Sequence, residues 1–358
     1  MGVFELLKQG HEQVIFCNDP TVGLKAIIAI HSTALGPSLG GCRMFPYKSE
    51  VEALEDVLRL SRGMTYKAAV AGLNLGGGKA VIIADPQKDK TEALFRAFGR
   101  HVESLGGRYI TAEDMGTKVK DMAYIRMETN HVVGLSAELG GSGDPSPVTA
   151  LGTFSGIQAC LEAVYGHDSL KGRSVAIQGL GNVGHHLARY LHQAGATLYF
   201  ADVEVDRARQ AQKEFGGHVV GLDEFFGLEV DVLSPCAVGG IFHEDTIPRL
   251  RAPIIAGAAN NPLRDEQRDG RALHERGILY APDYVINAGG LINVYSELHH
   301  YPRERALHEA RSIREVVTRV IQISRAERIT PTEASNHIAE VRLKMAAHLR
   351  QFYTGVRP

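Results

Sequence analysis

The sequence is poor in three features that would point to particular classes of protein: cysteine, long apolar runs and net charge. It has four cysteines in 358 residues. No two form a Cys-x-x-Cys pair, so neither a zinc cluster nor a redox dithiol is indicated. No stretch approaches the roughly 18 apolar residues of a membrane span. A formal net charge of -2 provides no broad positive field for nucleic acid or an anionic membrane. A small-molecule substrate, handled without a metal, fits this composition better.

The N-terminal residues MGVFELLKQGHEQ carry acidic and polar side chains where a signal peptide needs a basic start and an apolar core. We therefore expect a cytoplasmic protein. The length predicts two domains, because 358 residues exceed the size at which a single hydrophobic core usually keeps growing.

The pattern of apolar residues predicts an α/β fold. In the first third, strands are expected at 26–30 and 80–84, and helices at 50–62 and 92–104. Further along, the strand Ser174–Gln178, the helix Asn182–Gln193 and a strand at 197–202 form one βαβ unit. Short strands follow at 231–233, 253–256 and 278–281. This alternation favours a Rossmann-type, doubly wound parallel sheet for the second domain.

A Gly- and Pro-rich stretch at 140–147 is the best candidate for a hinge. We accordingly expect a substrate-binding and catalytic domain over 1–135, a NAD-binding domain over 136–328, and a cleft between them. From residue 290 onward the sequence is almost wholly helical and predicts two helices, broken near Pro331. The C-terminal helix, within 329–358, is expected to return toward the first domain.

Gly179, Gly181 and Gly184 have the spacing of a dinucleotide-binding turn, G-x-G-x-x-G. The match is weak alone, since the chain has 39 glycines, but here a predicted strand precedes it and a predicted helix follows it. Gly179 would allow the tight turn, Gly181 the approach of a pyrophosphate, and Gly184 close packing of the helix. The alternative is a tight turn that binds nothing.

Asp202 ends the second strand of this unit, where a carboxylate accepts hydrogen bonds from an adenosine ribose. The same charge repels a 2′-phosphate, and no arginine or lysine follows before Arg207. The sequence therefore predicts NAD rather than NADP.

Two lysines, Lys67 and Lys79, bracket an apolar segment that ends in three consecutive glycines at 76–78. A backbone without Cβ atoms can pass close to a ligand and leave Lys79 facing it. Partial desolvation and a second ammonium nearby favour the neutral form of an amine, which makes it a usable acid and base. The alternative, a surface lysine, fits badly where buried strand is expected.

Asp114 follows a strand-like run in the segment Tyr-Ile-Thr-Ala-Glu-Asp-Met-Gly, residues 109–116. A carboxylate at the end of a strand is well placed for a cleft. Taken alone, the segment is equally well interpreted as a helix N-cap at Asp114.

Together these segments resemble the leucine, valine and phenylalanine dehydrogenases, a branch of the amino-acid dehydrogenase superfamily that also includes glutamate dehydrogenases. The resemblance extends over nearly the whole chain and rests on residues 36–43, 67–79, 111–116, 143–149, 179–184, 258–261 and 281–290. It implies NAD-dependent oxidative deamination of a branched-chain L-amino acid (leucine, also isoleucine and valine) to a 2-oxo acid and ammonium. It also implies a homo-oligomer, often an octamer. The alternatives are a related enzyme acting on phenylalanine or glutamate, and a non-catalytic NAD-binding regulator.

The resemblance also assigns roles. Lys67 would bind the substrate α-carboxylate, Lys79 would activate the water that attacks the imino carbon, and Asp114 would move protons to and from the amino group. Asn261 would help to hold the substrate, and Gly40 and Gly41 would offer backbone contacts. Further cofactor-binding positions are expected at Thr149, Asn182, Val183, Cys236, Ala237, Ala258 and Asn260, with a packed thiol as the alternative for Cys236.

Four apolar residues match the side-chain pocket of the family: Leu39, Ala112, Leu291 and Val294. Relatives that use glutamate place a lysine where Leu39 stands, so a glutamate side chain would stay unpaired here. Leu291 departs from the valine expected of leucine enzymes. One methylene is worth about 1–3 kcal/mol in discrimination, so leucine, isoleucine and valine are not ranked. The histidine pairs at 185–186 and 299–300 lack metal-ligand spacing and are expected at the surface.

Overall fold

The computed structural model describes residue 5 and residues 10–299 and 302–349, which form two compact units. The first unit contains residues 10–144, 297–299 and 339–349, and the second contains 145–296 and 302–338. The division after Asp144 falls inside the predicted hinge, whereas the domain boundaries were predicted after residues 135 and 328. Most of the N-terminal segment used for localisation, and His300, lie outside the described residues.

The first unit is built on a five-stranded mixed sheet. Its strands are β1 (Gln13–Asp19), β2 (Leu24–Ser32), β3 (Ser38–Phe45), β4 (Gly76–Ile83) and β5 (Tyr109–Glu113). They lie in the order β1-β2-β4-β3-β5. Strand β2 is antiparallel to β1 and β4, while β3 is parallel to both β4 and β5. The helices are α1 (Glu50–Val70), α2 (Glu92–Glu103) and α3 (Val119–Arg126).

Helices cover both faces of this sheet, as the alternation of side chains along β4 shows. Val81 packs with Leu54 and Val57 of α1, whereas Ala80 and Ile82 belong to the cluster that contains residues of α2 and α3. Because successive residues of a strand point to opposite faces, the odd-numbered positions of β4 face α1. Lys79 is one of them.

Gly77 brings helix and strand unusually close. A Cβ at this position would lie 2.1 Å from the backbone nitrogen of Thr65. Only glycine therefore allows the backbone of α1 to contact the backbone of β4 directly. Lys67 follows Thr65 by two residues. The part of the helix that carries Lys67 therefore lies next to the strand that carries Lys79.

The second unit contains a six-stranded, fully parallel sheet in the order β11-β10-β9-β6-β7-β8. The strands are β6 (Ser174–Gln178), β7 (Thr197–Ala201), β8 (His218–Val219), β9 (Val232–Pro235), β10 (Ile254–Ile255) and β11 (Leu279–Tyr280). The helices α4 (Ser146–Tyr165), α5 (Asn182–Gln193), α6 (Val205–Phe215) and α7 (Glu266–Glu275) belong to the same unit. The strand order reverses between β6 and β9, and ligands of such sheets bind at the carboxyl ends of the strands at this point.

The helical C-terminal region differs from the prediction of two helices. After the short α8 (Asp283–Ile286) come α9 (Gly289–Leu298), α10 (Arg303–Arg311), α11 (Ile313–Glu327) and α12 (Pro331–Leu349). The predicted break near Pro331 is present, because the left-handed backbone of Arg328, with φ +57°, ends α11 and α12 begins at Pro331. The number of helices was wrong because other breaks are too short to disturb the helical period: one residue, Ser312, separates α10 from α11. No helix in the described part of the chain has the length and apolar character needed to cross a membrane.

Candidate active site

One face of strands β3, β4 and β5 carries most of the predicted site residues of the first unit. Leu39 pairs with Gly77 across β3 and β4, and Gly41 pairs with Ala112 across β3 and β5. Paired residues of neighbouring strands point to the same face. The face toward α1 therefore carries Leu39, Gly41, Arg43, Lys79 and Ala112, with Asp114 just beyond the end of β5. We call these six residues the charged face, after its ionisable members Arg43, Lys79 and Asp114.

Lys79 and Asp114 are in direct contact on the charged face. The Lys79 side chain is buried and its Nζ forms an ion pair with Oδ2 of Asp114. The other carboxylate oxygen, Oδ1, lies 3.7 Å from Nη2 of Arg43 and accepts a hydrogen bond from the Met115 backbone N–H at 2.5 Å. The sequence predicts both Lys79 and Asp114 but does not predict this contact.

These neighbours decide the charge of Asp114. Burial raises the pKa of its carboxyl group, but Lys79, Arg43 and the Met115 N–H favour the anion more strongly, so the pKa lies below its ordinary value. Asp114 is therefore a carboxylate at neutral pH, ready to accept a proton.

Gly41 makes the approach of Asp114 possible. A Cβ at Gly41 would lie 2.5 Å from the Glu113 carbonyl oxygen and 2.8 Å from the Cβ of Asp114. The neighbouring Gly40 accepts a hydrogen bond from the Tyr109 hydroxyl at 2.7 Å through its carbonyl oxygen. Any larger residue at position 41 would displace the carboxylate.

The alternative role of Asp114, a helix N-cap, is not what the structure has. The N-cap of α3 is Lys118. Asp114 instead begins a turn in which its carbonyl oxygen accepts the Thr117 N–H at 2.9 Å. Thr117 Oγ1 in turn donates to the Cys42 carbonyl oxygen at 2.9 Å, which ties the turn to β3.

Arg43 and its partners were not predicted from the sequence. Arg43 Nη1 donates to Oδ2 of Asp56 on α1 at 2.9 Å, and the Tyr47 hydroxyl donates to the same oxygen at 2.7 Å. A signal was present, because Leu39, Gly41 and Arg43 follow the period of two expected for one face of a strand. Only the first two were assigned a role.

The glycine-rich turn of the second unit has the geometry that a dinucleotide requires. Gly179 adopts φ +96°, and a Cβ at Gly184 would lie 1.9 Å from the Gly179 carbonyl oxygen. The space beside Gly181 is open, with no heavy atom within 4 Å of an added Cβ. Gly181 is also the N-cap of α5, without a side-chain cap hydrogen bond. These features leave room for a pyrophosphate at the N-terminus of the helix.

Cys236 and Ala237 follow β9 at the point where the strand order reverses. A Cβ at Gly179 would lie 2.6 Å from the Ala237 Cβ, so both residues adjoin the glycine-rich turn. Burial raises the pKa of the Cys236 thiol, so the thiol stays neutral and any contact that it makes with a ligand is a packing contact. In the turn itself, Asn182 is exposed and Val183 half-buried.

Asp202 lies at the end of β7 and is mostly buried. Its Oδ2 accepts the Leu180 backbone N–H at 2.6 Å, and its Oδ1 accepts the Glu204 N–H at 2.8 Å. The carboxylate therefore holds the glycine-rich turn, and each oxygen keeps a further lone pair for another donor. Arg207, the nearest following cation in the sequence, pairs with Glu204 at 3.0 Å.

Asn261 is one of two described non-glycine residues with positive φ, at +48°. Its backbone N–H donates to Oδ2 of Asp283 at 2.7 Å. The preceding Asn260 accepts a hydrogen bond from Asn287 Nδ2 at 2.8 Å, and the same Nδ2 lies 3.2 Å from the Ala258 carbonyl oxygen. A strained backbone held by such partners is typical of functional loops.

Thr149 on α4 lies beside the start of α9. A Cβ at Gly290 would lie 3.2 Å from Thr149 Oγ1. On α9, Leu291 is buried and Val294 half-buried, one helical turn further along. The structure thus brings Thr149 and the two predicted pocket residues of this unit into one region.

A cavity of about 730 Å³ in the first unit contains none of the predicted site residues. It lies around Phe45, Pro86, Phe95 and Met115 and is also lined by three lysines and three carboxylates. This balance of charge favours no class of ligand.

A parallel sheet with a glycine-rich turn in the second unit, and a buried lysine–carboxylate pair in the first, are features that a dehydrogenase would need. Family models match both parts: "Glu/Leu/Phe/Val dehydrogenase, dimerisation domain" over residues 11–131, and "Glutamate/Leucine/Phenylalanine/Valine dehydrogenase" over 140–201 and 200–350. The chain belongs to this family and is an amino-acid dehydrogenase, a class of enzyme that uses a nicotinamide cofactor.

Individual relatives share about half of the sequence. A leucine dehydrogenase from Bacillus cereus is 52% identical over 354 residues, which cover 99% of this chain and 96% of that protein. One from Geobacillus stearothermophilus is 54% identical over 334 residues, covering 93% and 91%. The crystal structure of L-tryptophan dehydrogenase from Nostoc punctiforme superimposes with a TM-score of 0.88 at 47% identity and covers 97% of this chain and all of that one. Relatives with different substrates are therefore similarly close.

Proposed function

We propose that this dehydrogenase oxidatively deaminates branched-chain aliphatic L-amino acids (leucine, also isoleucine and valine) with NAD, giving a 2-oxo acid and ammonium in a reversible reaction. The observation that carries the proposal is the charged face, where apolar Leu39 and Ala112 share one surface with the Lys79–Asp114 pair. A charged substrate side chain would find no partner at Leu39 or Ala112. The leucine dehydrogenases that are 52% and 54% identical support the same substrate class.

The proposed division of labour uses three groups of this chain. Lys67 binds the substrate α-carboxylate, Lys79 activates the water that attacks the imino carbon, and Asp114 moves protons to and from the amino group. The direct contact between Lys79 and Asp114 supports this scheme, because a proton can pass between them without an intervening water. When bound, the oxidised nicotinamide supplies the acceptor for the hydride from the substrate Cα.

The remaining predicted residues complete the two binding sites. In our proposal, Asn261 helps to hold the substrate, and Gly40 and Gly41 contact it through their backbone. The substrate side chain is contacted by Leu39, Ala112, Leu291 and Val294. The cofactor is bound by the glycine-rich turn, by Asp202 and by Thr149, Cys236, Ala237, Ala258 and Asn260. The left-handed backbone of Asn261 and the open space beside Gly181 support these assignments.

The substrate preference is tested by kcat/KM for a panel of L-amino acids. We expect leucine, isoleucine and valine to exceed glutamate by at least about 100-fold, because an unpaired buried charge costs several kcal/mol. The second candidate substrate class is aromatic, since the L-tryptophan dehydrogenase is 47% identical. Higher kcat/KM with phenylalanine or tryptophan than with any aliphatic substrate would decide for that candidate.

The role of Lys79 is tested by Lys79→Ala. We expect kcat to fall by at least about 1,000-fold, since the acid–base group is lost, while NADH binding measured by fluorescence is retained. Lys25→Ala is the matched control, because Lys25 lies on the same sheet but is exposed. Near-normal turnover of Lys79→Ala would remove this lysine from the chemistry.

The preference for NAD is tested at Asp202. Asp202→Ala removes the charge, but it also removes the acceptor for the Leu180 N–H, so Asp202→Asn is the better variant because it keeps the shape and one acceptor oxygen. For both we expect the ratio of kcat/KM with NAD to that with NADP to fall by about tenfold or more, since the carboxylate no longer repels a 2′-phosphate. An unchanged ratio in both variants contradicts the assignment.

We also infer a homo-oligomer, with an octamer as the expected size. The family model for residues 11–131 carries the description "dimerisation domain". Strand β1 is at the edge of its sheet, and the backbone groups of an edge strand are available for pairing with another chain. Sedimentation velocity is expected to give a single species near eight times the mass of the chain, and a monomer at micromolar concentration would overturn the inference.

A further inference from the structure

Arg43 is the member of the charged face without an assigned role. It lies on β3 with its guanidinium between two carboxylates, those of Asp56 and Asp114. Nη1 donates to Asp56 at 2.9 Å, whereas Nη2 lies 3.7 Å from Asp114, beyond hydrogen-bond distance. Arg43 therefore bonds to Asp56 and acts on Asp114 mainly through its charge.

Asp56 is firmly held as an anion. The Tyr47 hydroxyl and Arg43 share its Oδ2, and Arg59 Nη2 donates to its Oδ1 at 2.9 Å. Burial raises the pKa of Asp56, but the Tyr47 hydrogen bond and the two arginines outweigh it, so the net pKa is lowered. Burial also raises the pKa of Tyr47, with its bond to Asp56 acting in the same direction, so the phenol keeps the proton that it donates.

This arrangement prevents a tight pairing of Arg43 with Asp114. A guanidinium free to move would form two parallel hydrogen bonds with the carboxylate and occupy its oxygens. The hydrogen bond to Asp56 directs Nη1 of the guanidinium away from Asp114. In addition, Arg43 Nε is buried with no hydrogen-bond partner among the described residues, which costs about 1–3 kcal/mol.

We propose that Arg43 is a positioning residue for the reaction: fixed by Asp56, it keeps the Asp114 carboxylate ionised and oriented while leaving Asp114 free to exchange a proton with substrate. This inference rests on the proposed function, in which Asp114 handles the proton of the amino group.

Other ionisable groups interact electrostatically with Asp114, and they limit which group an observed titration reports. Lys79 lies on the same face, whereas Cys42 of β3 and Tyr109 and Glu113 of β5 lie at positions that point to the opposite face of the sheet. Lys67 lies on α1, the helix packed against this face. Burial holds the pKa values of Cys42 and Tyr109 well above their usual range, so both stay neutral. Burial and nearby carboxylates raise the pKa of Glu113, so Glu113 needs a control of its own.

The test is the pH profile of kcat/KM for Arg43→Met. Without the guanidinium, less positive charge offsets the effect of burial on Asp114. The pKa of its carboxyl group therefore rises, and the proton is lost only at higher pH. We expect the acid limb of the profile to move upward by about one pH unit or more. The activity deficit should therefore be about tenfold or more at low pH and should shrink as the pH rises. A deficit of equal size at every pH would overturn the proposal.

Three further variants make the result specific. Arg43→Lys keeps the charge and is expected to restore the acid limb close to its original position, which also covers the case in which Arg43→Met folds poorly. Arg62→Met is the matched control, because Arg62 carries the same charge on an exposed part of α1, and its profile should equal that of the parent enzyme. Adding Glu113→Gln to Arg43→Met should leave the shifted limb in place, and loss of the shift would assign it to Glu113 instead.

Asp114→Asn separates this inference from the function on which it rests. If Asp114→Asn abolishes turnover while Arg43→Met retains the parent profile, the role of Asp114 stands and that of Arg43 is wrong. If Asp114→Asn remains active, the proposed role of Asp114 is wrong and the inference about Arg43 fails with it.

Discussion

The buried ion pair between Lys79 and Asp114 is the interaction on which the arrangement of the first unit depends. Removing two charges from water costs several kcal/mol for each ion, and well-packed apolar residues would often stabilise the same position more. A pair of this kind is a poor explanation for stability. It becomes understandable when the chain must hold a proton donor and a proton acceptor in contact, away from bulk water, where their interaction is strong.

Two glycines shape the surroundings of this pair. Gly41 allows Asp114 to approach β3, and Gly77 allows the backbone of α1 to lie directly on β4, the strand that carries Lys79. Charge is then balanced outward from the pair, since Arg43 offsets Asp114 and Asp56 offsets Arg43. Lys79, Asp114, Arg43 and Asp56 therefore form a row of alternating charges that extends from β4, β5 and β3 to helix α1. A change at one member alters the electrostatic environment of the next, so substitutions here are not expected to be additive.

In the second unit, glycines and a carboxylate serve a different purpose. A nucleotide needs backbone N–H groups and open space rather than buried charge, and the glycine-rich turn provides both. Here the carboxylate of Asp202 has a double use. It is placed at the end of β7, where a ribose would be recognised, and it also accepts the Leu180 N–H of the turn. Position and rigidity of the turn thus depend on the same side chain that is proposed to choose between cofactors.

The fold was largely predictable because the signals for it are local. The βαβ unit was predicted with the bounds that the structure has for β6 and α5, since alternation, glycine spacing and helical periodicity all agree there. The number of C-terminal helices was wrong, because a break of one residue at Ser312 leaves no trace in composition. In the site, Lys79 and Asp114 were predicted individually, but their contact depends on the pairing of β4, β3 and β5, which no local pattern encodes. The period of two along β3 was a local signal for Arg43, but its ion pair with Asp56 of α1 joins a strand to a helix and has no local pattern.

Substrate preference is harder to predict from the sequence than the reaction, because the free-energy differences between similar substrates are small. The difference between a charged and an apolar side chain is a matter of several kcal/mol, and Leu39 on the charged face is enough to argue it. The difference between leucine and valine is one methylene, about 1–3 kcal/mol, and it depends on the packing around residues such as Leu291. Relatives named for leucine and for tryptophan, at 52% and 47% identity, are consistent with this scale. The reaction can therefore be argued from a few charged residues, whereas the preferred side chain depends on how the whole pocket packs.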